Sequence, residues 1–158
     1  MAEDWDQQLA AFRQSLRIVP QLVDGASAEQ LHRAPTPGEW SAHDVVCHLL
    51  LDEIGTAVIL RLILTEDRPV LPALDADNRF CATRFAPLYP ETATALGVWQ
   101  ALREDTVRLC ASVSADERER IGLAPWRKGE AITFRGYVAS RGRHDRVHIG
   151  QIRSALSV

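Results

Sequence analysis

Apolar residues recur at spacings of three and four in four long stretches of the chain, the pattern of amphipathic helices. In the first, 4–23, Leu9, Phe12, Leu16, Val19 and Val23 share a stripe, and Pro20 is expected to kink or shorten the last turn. The second opens at Ser41, where Ser41 and Asp44 have the spacing of a capping box and Trp40 can act as a preceding staple. Its apolar positions run through Val45, Val46, Leu49, Leu50, Ile54, Val58, Ile59 and Leu62 to about residue 65. A third helix is predicted over 91–113, through Ala95, Leu96, Trp99, Leu102, Val107 and Cys110. The fourth starts after a Thr133 cap and runs to about Leu156, with Tyr137, Arg141, His144, His148, Ile152 and Ala155 on the inward stripe.

The intervening segments are short on periodicity. Residues 24–38 are turn-rich, with one helical turn predicted at 26–31. The connection 66–90 carries prolines at 69, 72, 87 and 90; its length suggests a functional segment or one holding short helices. One further turn is predicted at 116–121, and 122–130 reads as a loop containing Pro125 and Trp126. Period-two alternation is scarce. The expectation is therefore an all-α four-helix bundle, one domain over 1–158, with a long crossover at 66–90.

Composition narrows the function classes. A chain of 158 residues with 46% hydrophobic content can bury a sizeable core. The net charge of −3, and arginines interleaved with acids, speak against a nucleic-acid surface. Lys128 is the only lysine. The longest apolar run, 57–64, contains Arg61 and is too short to span a bilayer, and the acidic N-terminus lacks a signal-peptide pattern. A cytoplasmic protein that binds neither membrane nor nucleic acid is expected. Cys47, Cys81 and Cys110 are widely spaced without a CxxC pair, which suits reduced, buried thiols.

The candidate chemistry lies in the histidines. His144 and His148 are four residues apart, hence on one helix face, with Cβ atoms about 6 Å apart. His48 sits midway along the second helix, on a stripe continued by Leu51, Gly55, Ile59 and Leu62. Bundles build metal sites from facing helices, and three neutral imidazoles leave a position open for water or substrate. The competing reading is of hydrogen-bonded core histidines. Three clustered imidazoles without metal, however, each need both a donor and an acceptor partner. Asp52, one turn after His48, is the favoured residue for orienting a ligand; Glu53, Asp145 and Gln151 are further candidates. On a helical wheel Asp145 lies about 100° from His144 and is expected to face solvent. His43 and His32 are expected at the surface. Cys47 is read as a core residue, and no nucleophile–base pair is evident.

Three motifs in order resemble the DinB-like superfamily. They are Pro37-Gly38-Glu39-Trp40-Ser41 with Val45-Val46-Cys47-His48-Leu49, then Pro69-Val70-Leu71-Pro72 followed by Asp75, then His144-Asp145-Arg146-Val147-His148-Ile149-Gly150-Gln151-Ile152. The resemblance implies an up-down-down-up bundle, often dimeric, holding a divalent metal, commonly zinc or nickel. It implies His48, His144 and His148 as the ligands. Two positions depart from the pattern: Leu51 stands where many members carry an acid, and Val147 where many carry histidine.

Among relatives so implied are transferases and isomerases that use a low-molecular-weight thiol. The expected function is thus a divalent-metal-dependent S-transferase acting on a small molecule with a thiol cosubstrate, in a homodimer. The alternatives are a metal-binding stress or DNA-damage-response protein without catalysis, a metal-dependent hydrolase on the same fold, and a metal-free helical module.

Overall fold

The computed structural model describes residues 4–73 and 80–157; Asp75, like the rest of 74–79 and the N-terminal residues 1–3, lies outside the described residues. Among the described residues these elements follow one another: α1 (Trp5–Val23), α2 (Ala28–His32), α3 (Ala42–Thr65), α4 (Thr92–Ser112), α5 (Ala115–Arg118), β1 (Ile121–Ala124), β2 (Glu130–Thr133) and α6 (Phe134–Leu156). Between α3 and α4, a π-helical turn at Cys81–Phe85 and a 3-10 turn at Ala86–Leu88 lie within the 66–90 connection.

Local chemistry fixes where the helices begin. Ser27 with Gln30, Ser41 with Asp44 and Ser114 with Glu117 each form a reciprocal capping box. The Asp4 carboxylate accepts from the Trp5 amide, and the Thr133 hydroxyl accepts from the Gly136 amide. Such caps satisfy amides left without partners in the first turn. Pro20 does not end α1, which continues to Val23.

The long helices form the all-α bundle anticipated from periodicity. α1 packs against α6 and α4, and α3 packs against α4 and α6. Two apolar clusters fill the interior. One gathers Val19, Leu49, Leu50, Trp99 and Ile152; the other gathers Phe12, Leu60, Ile63, Phe134 and Val138. Between them lies Arg103, wholly buried, with its guanidinium 4.0 Å from the centroid of Phe12 and 5.3 Å from that of Trp99. α3 is buried on several faces because α2, α4, α6 and the π-helical turn all reach it.

One segment differs from expectation. The turn expected at 116–121 is the short helix α5, which ends at Arg118, but the expected loop at 122–130 lies within an antiparallel hairpin, with Ile121 opposite Thr133 and Ala124 opposite Glu130. Its turn places Lys128 (φ 57°) and Gly129 (φ 79°) in the left-handed region, which glycine enters without strain. β1 also pairs with the start of the long connection: the Leu123 amide donates to the Pro69 carbonyl (2.8 Å), and the Leu71 amide to the Leu123 carbonyl (2.9 Å). A Cβ on Gly122 would lie 2.7–2.9 Å from the Leu71 side chain, so the close approach depends on glycine there. Partners some fifty residues apart in sequence, and strands of four residues, leave no local alternation to read. Among the described residues, no helix is long and apolar enough to cross a membrane.

Candidate metal centre

The Ser41 capping box sets the start of α3 and so the rotation that turns His48 toward α6. From α6, His144 and His148 project one turn apart. The three rings meet. Nε2 of His144 lies 3.3 Å from Nε2 of His48 and 3.0 Å from Nε2 of His148. His48 and His148 are buried and His144 is half-buried. Trp40, immediately before the α3 cap, covers the pair, its ring 4.9 Å from His48 and 6.3 Å from His148.

The opposite ring nitrogens face outward. His148 Nδ1 donates to the Gln151 side-chain oxygen at 2.7 Å. His144 Nδ1 points at Asp52 Oδ2, 3.5 Å away, a charge contact longer than a formed hydrogen bond. Asp52 Oδ1 in turn accepts from Arg141 Nη1 at 2.7 Å. His48 Nδ1 is buried without a hydrogen-bond partner. An oxygen acceptor on Nδ1 places the proton there and leaves the Nε2 lone pair facing the other rings. With His144 and His148 so protonated, their Nε2 lone pairs, 3.0 Å apart, repel one another unless a cation sits between them.

A zinc-like ion suits that arrangement. With Zn–N bonds of about 2.0–2.1 Å, tetrahedral ligand atoms stand about 3.3 Å apart. Among the described residues, these three side chains form the group whose ligand atoms cluster closely enough to hold an ion. Protonation agrees. Burial, reinforced by the His148 neighbour, pushes His48 down to about 4. Burial also lowers His144, against the pull of Asp52, and lowers His148, against its bond to Gln151. All three are therefore neutral near pH 7, the form that binds metal.

One opening meets the cluster at His148, and a second lies on the far side of Asp52. A groove of about 630 Å³ is lined by Glu39, Trp40, Val147, His148 and Gln151 among others. A smaller pocket of about 90 Å³ is lined by Asp52, Gly55, Tyr137, Arg141, Trp126 and Pro72 among others.

The structure thus brings together His48, His144, His148, Asp52 and Gln151, and it moves other residues elsewhere. Asp145 does not face solvent: it is 1% exposed and accepts from Arg103 Nη1 at 2.5 Å. Glu53 is in the same buried network, accepting from Arg103 Nε (2.6 Å) and the Thr106 hydroxyl (2.5 Å), away from the histidines. Its burial raises the carboxyl, against the opposing pull of Arg103. His43 is not at the surface either. It is 4% exposed, and its Nδ1 lies 2.9 Å from the Thr92 hydroxyl. His32 is exposed and stacks on it, centroids 4.0 Å apart.

Sequence reasoning passed over the contact between Cys47 Sγ and His43 Nε2 at 3.6 Å, for which their i,i+4 spacing was the available signal. Burial pushes the Cys47 thiol up to about 12, so it stays protonated and unreactive. Arg141 was placed on the inward stripe, but its bond to Asp52 depends on side-chain reach that a wheel does not show.

Comparisons with known proteins agree with this architecture. The family profile described as the DinB superfamily matches residues 11–152. The protein named "Putative metal-dependent hydrolase" of Oceanobacillus iheyensis is 22% identical over 158 residues, 98% of this chain and 84% of that protein. Among solved structures, YfiT from Bacillus subtilis, described as a "probable metal-dependent hydrolase with an unusual four-helix bundle topology", superposes with a TM-score of 0.85. Its identity is 20%, over 98% of this chain and 87% of that one. A mycothiol-dependent maleylpyruvate isomerase superposes with a TM-score of 0.72 at 12% identity, over 95% of this chain and 61% of the isomerase.

Proposed function

The chain belongs to the DinB superfamily, and on that premise we propose that it is a metal-dependent enzyme whose His48, His144 and His148 hold one divalent ion, zinc or nickel, and which transfers a low-molecular-weight thiol to an electrophilic small molecule. The observation that carries this is the convergence of three Nε2 atoms, with the Nδ1 atoms of two rings turned toward Asp52 and Gln151. When bound, such an ion lowers the pKa of coordinated water to about 7 and deprotonates a coordinated thiol.

The chain's own residues do the rest. Gln151 and Asp52 hold the rings of His148 and His144 in the tautomer that offers Nε2. Arg141 holds Asp52 in place. Trp40 shields His48 and His148 on one side, and the wide groove beside His148 has room for a cosubstrate of thiol-cofactor size. Activation by the metal alone suits a site where Asp52 is already committed to Arg141 and Glu53 lies in the Arg103 network.

A second reading, hydrolysis with water as nucleophile, is favoured by the names of the two relatives that span the chain almost fully. A homodimer and a small-molecule substrate belong to the same proposal. The test is metal content of untagged wild-type and His144→Ala protein, followed by turnover of an electrophilic probe with and without added thiol. About one equivalent of metal, lost in the variant, and thiol-dependent turnover support the first reading. Thiol-independent ester or amide cleavage by the loaded protein selects the second. A folded wild type that takes up no added Zn²⁺ overturns both. Light scattering coupled to size exclusion reads the oligomeric state.

A further inference from the structure

Arg141 lies on the same face of α6 as the proposed ligands, three residues before His144. Its guanidinium is mostly buried, with 21% of the side chain exposed, and is held rather than free. Nη1 donates to Asp52 at 2.7 Å, Nε makes a long contact of 3.4 Å to the Ser140 hydroxyl, and the group sits 5.3 Å from the Tyr137 ring centroid. Among the described residues, Nη2 makes no hydrogen bond. Both its donors are therefore available on a fixed plane, and Arg141 lines the 90 Å³ pocket with Asp52, Gly55, Tyr137, Trp126 and Pro72.

The pocket's size and charge define what it accepts. At about 30 Å³ per water, it has room for about three waters, or for a carboxylate with one or two attached carbons. Asp52 and Arg141 cancel in charge, and the histidines beside them are neutral, so a bound divalent ion leaves the neighbourhood with a net positive charge. The positively charged Nη2 donates charge-assisted hydrogen bonds, which a carboxylate accepts more strongly than a neutral group of the same shape. Gly55 keeps the α3 wall free of a side chain. Asp52 touches both Arg141 and His144 and so joins the pocket to the histidine cluster, although none of the three histidines lines the pocket.

We infer that this pocket is a carboxylate-binding subsite, in which Arg141 grips the acidic end of a small organic acid beside Asp52. The inference rests on the proposed function for its placement beside a reacting centre, but the binding itself does not require the metal.

The test is calorimetric titration with malonate and with malonamide, its neutral counterpart. It uses wild type, Arg141→Met and Arg141→Lys, each zinc-loaded and each stripped by a chelator. Wild type should bind malonate at least about tenfold more tightly than malonamide, and Arg141→Met should lose about tenfold or more of that affinity when compared at equal zinc occupancy and in the stripped state. Arg141→Lys keeps a positive partner for Asp52 but has no second nitrogen group left over for the ligand. It should fall between the two, and it serves as the readout if Arg141→Met fails to fold. Stripped wild type should bind more weakly, with the same dependence on Arg141. Equal malonate affinity in wild type and the folded Arg141 variants overturns the subsite. So does malonate binding that vanishes on stripping and ignores Arg141, which marks direct binding to the metal. A protein that never takes up zinc but binds malonate through Arg141 overturns the metalloenzyme reading and leaves the subsite standing.

Discussion

Replacing Gln151 with methionine removes one oxygen while keeping the length of the side chain. That oxygen accepts the Nδ1 proton of His148 at 2.7 Å, and no other acceptor on that ring is present among the described residues. Without it the ring is no longer held in the tautomer that presents Nε2, and the metal must supply that free energy on binding. A neutral hydrogen bond contributes about 1 kcal/mol net, and Gln151 is solvent-exposed, so the lower end of the range applies. The expected loss in zinc affinity, about 0.5 kcal/mol, is about twofold. Asp52→Asn is the harsher change. It removes a charge that faces both His144 Nδ1 and Arg141, in a side chain only 18% exposed, and should approach about a hundredfold. The two residues act on different rings, so the double variant should lose about the product of the two factors. The assay is competition for zinc against a chromophoric chelator at fixed pH, with circular dichroism confirming the fold. Unchanged zinc affinity in both single variants would refute the argument that these side chains hold the ring tautomers.

Three further outcomes are expected. Arg103→Met leaves Glu53 and Asp145 buried without their cation and should lower unfolding free energy by about 3–5 kcal/mol in urea melts; a loss below about 1 kcal/mol would contradict the assigned network. In metal-free protein, His48 titrates at about 4 instead of its ordinary 6.5, so the unfolded chain binds more protons between those values and stability falls as pH drops through them. For His48 alone the loss between pH 7 and 5 is about 2 kcal/mol, and denaturant melts showing equal stability at both values would rule it out. Ser41→Ala breaks the α3 capping box and should destabilise by about 1 kcal/mol, with weaker zinc binding if the box also sets the rotation of His48.

The helices and the three histidines could be read from the sequence because their determinants are local. Capping serines, stripes of period 3.6 and an i,i+4 pair all act within a few residues of chain. Asp52 was accessible for the same reason, one turn from His48. Asp145 was misread because the wheel argument treats one face as core and the rest as solvent. α6 is packed by α1 and α3 and is also reached by Arg103 of α4, so it has a second buried face. His43 fails similarly: the first turn of a helix is often exposed, but here Thr92, forty-nine residues away, closes over it. The hairpin depends on Leu71 and Pro69 as much as on its own residues, which no local pattern encodes.

The Arg103 cluster ties distant parts of the chain into one event. Its guanidinium bonds the Phe12 carbonyl and Ser15 hydroxyl of α1, Glu53 of α3 and Asp145 of α6, while its own backbone belongs to α4. No three of the long helices can satisfy it, and any helix that detaches strands a buried charge. Partial unfolding is thereby made nearly as unfavourable as complete unfolding. The bundle should melt in a single cooperative step, its amide exchange levelled across the four helices near this residue, so the histidine centre opens only when the whole fold does.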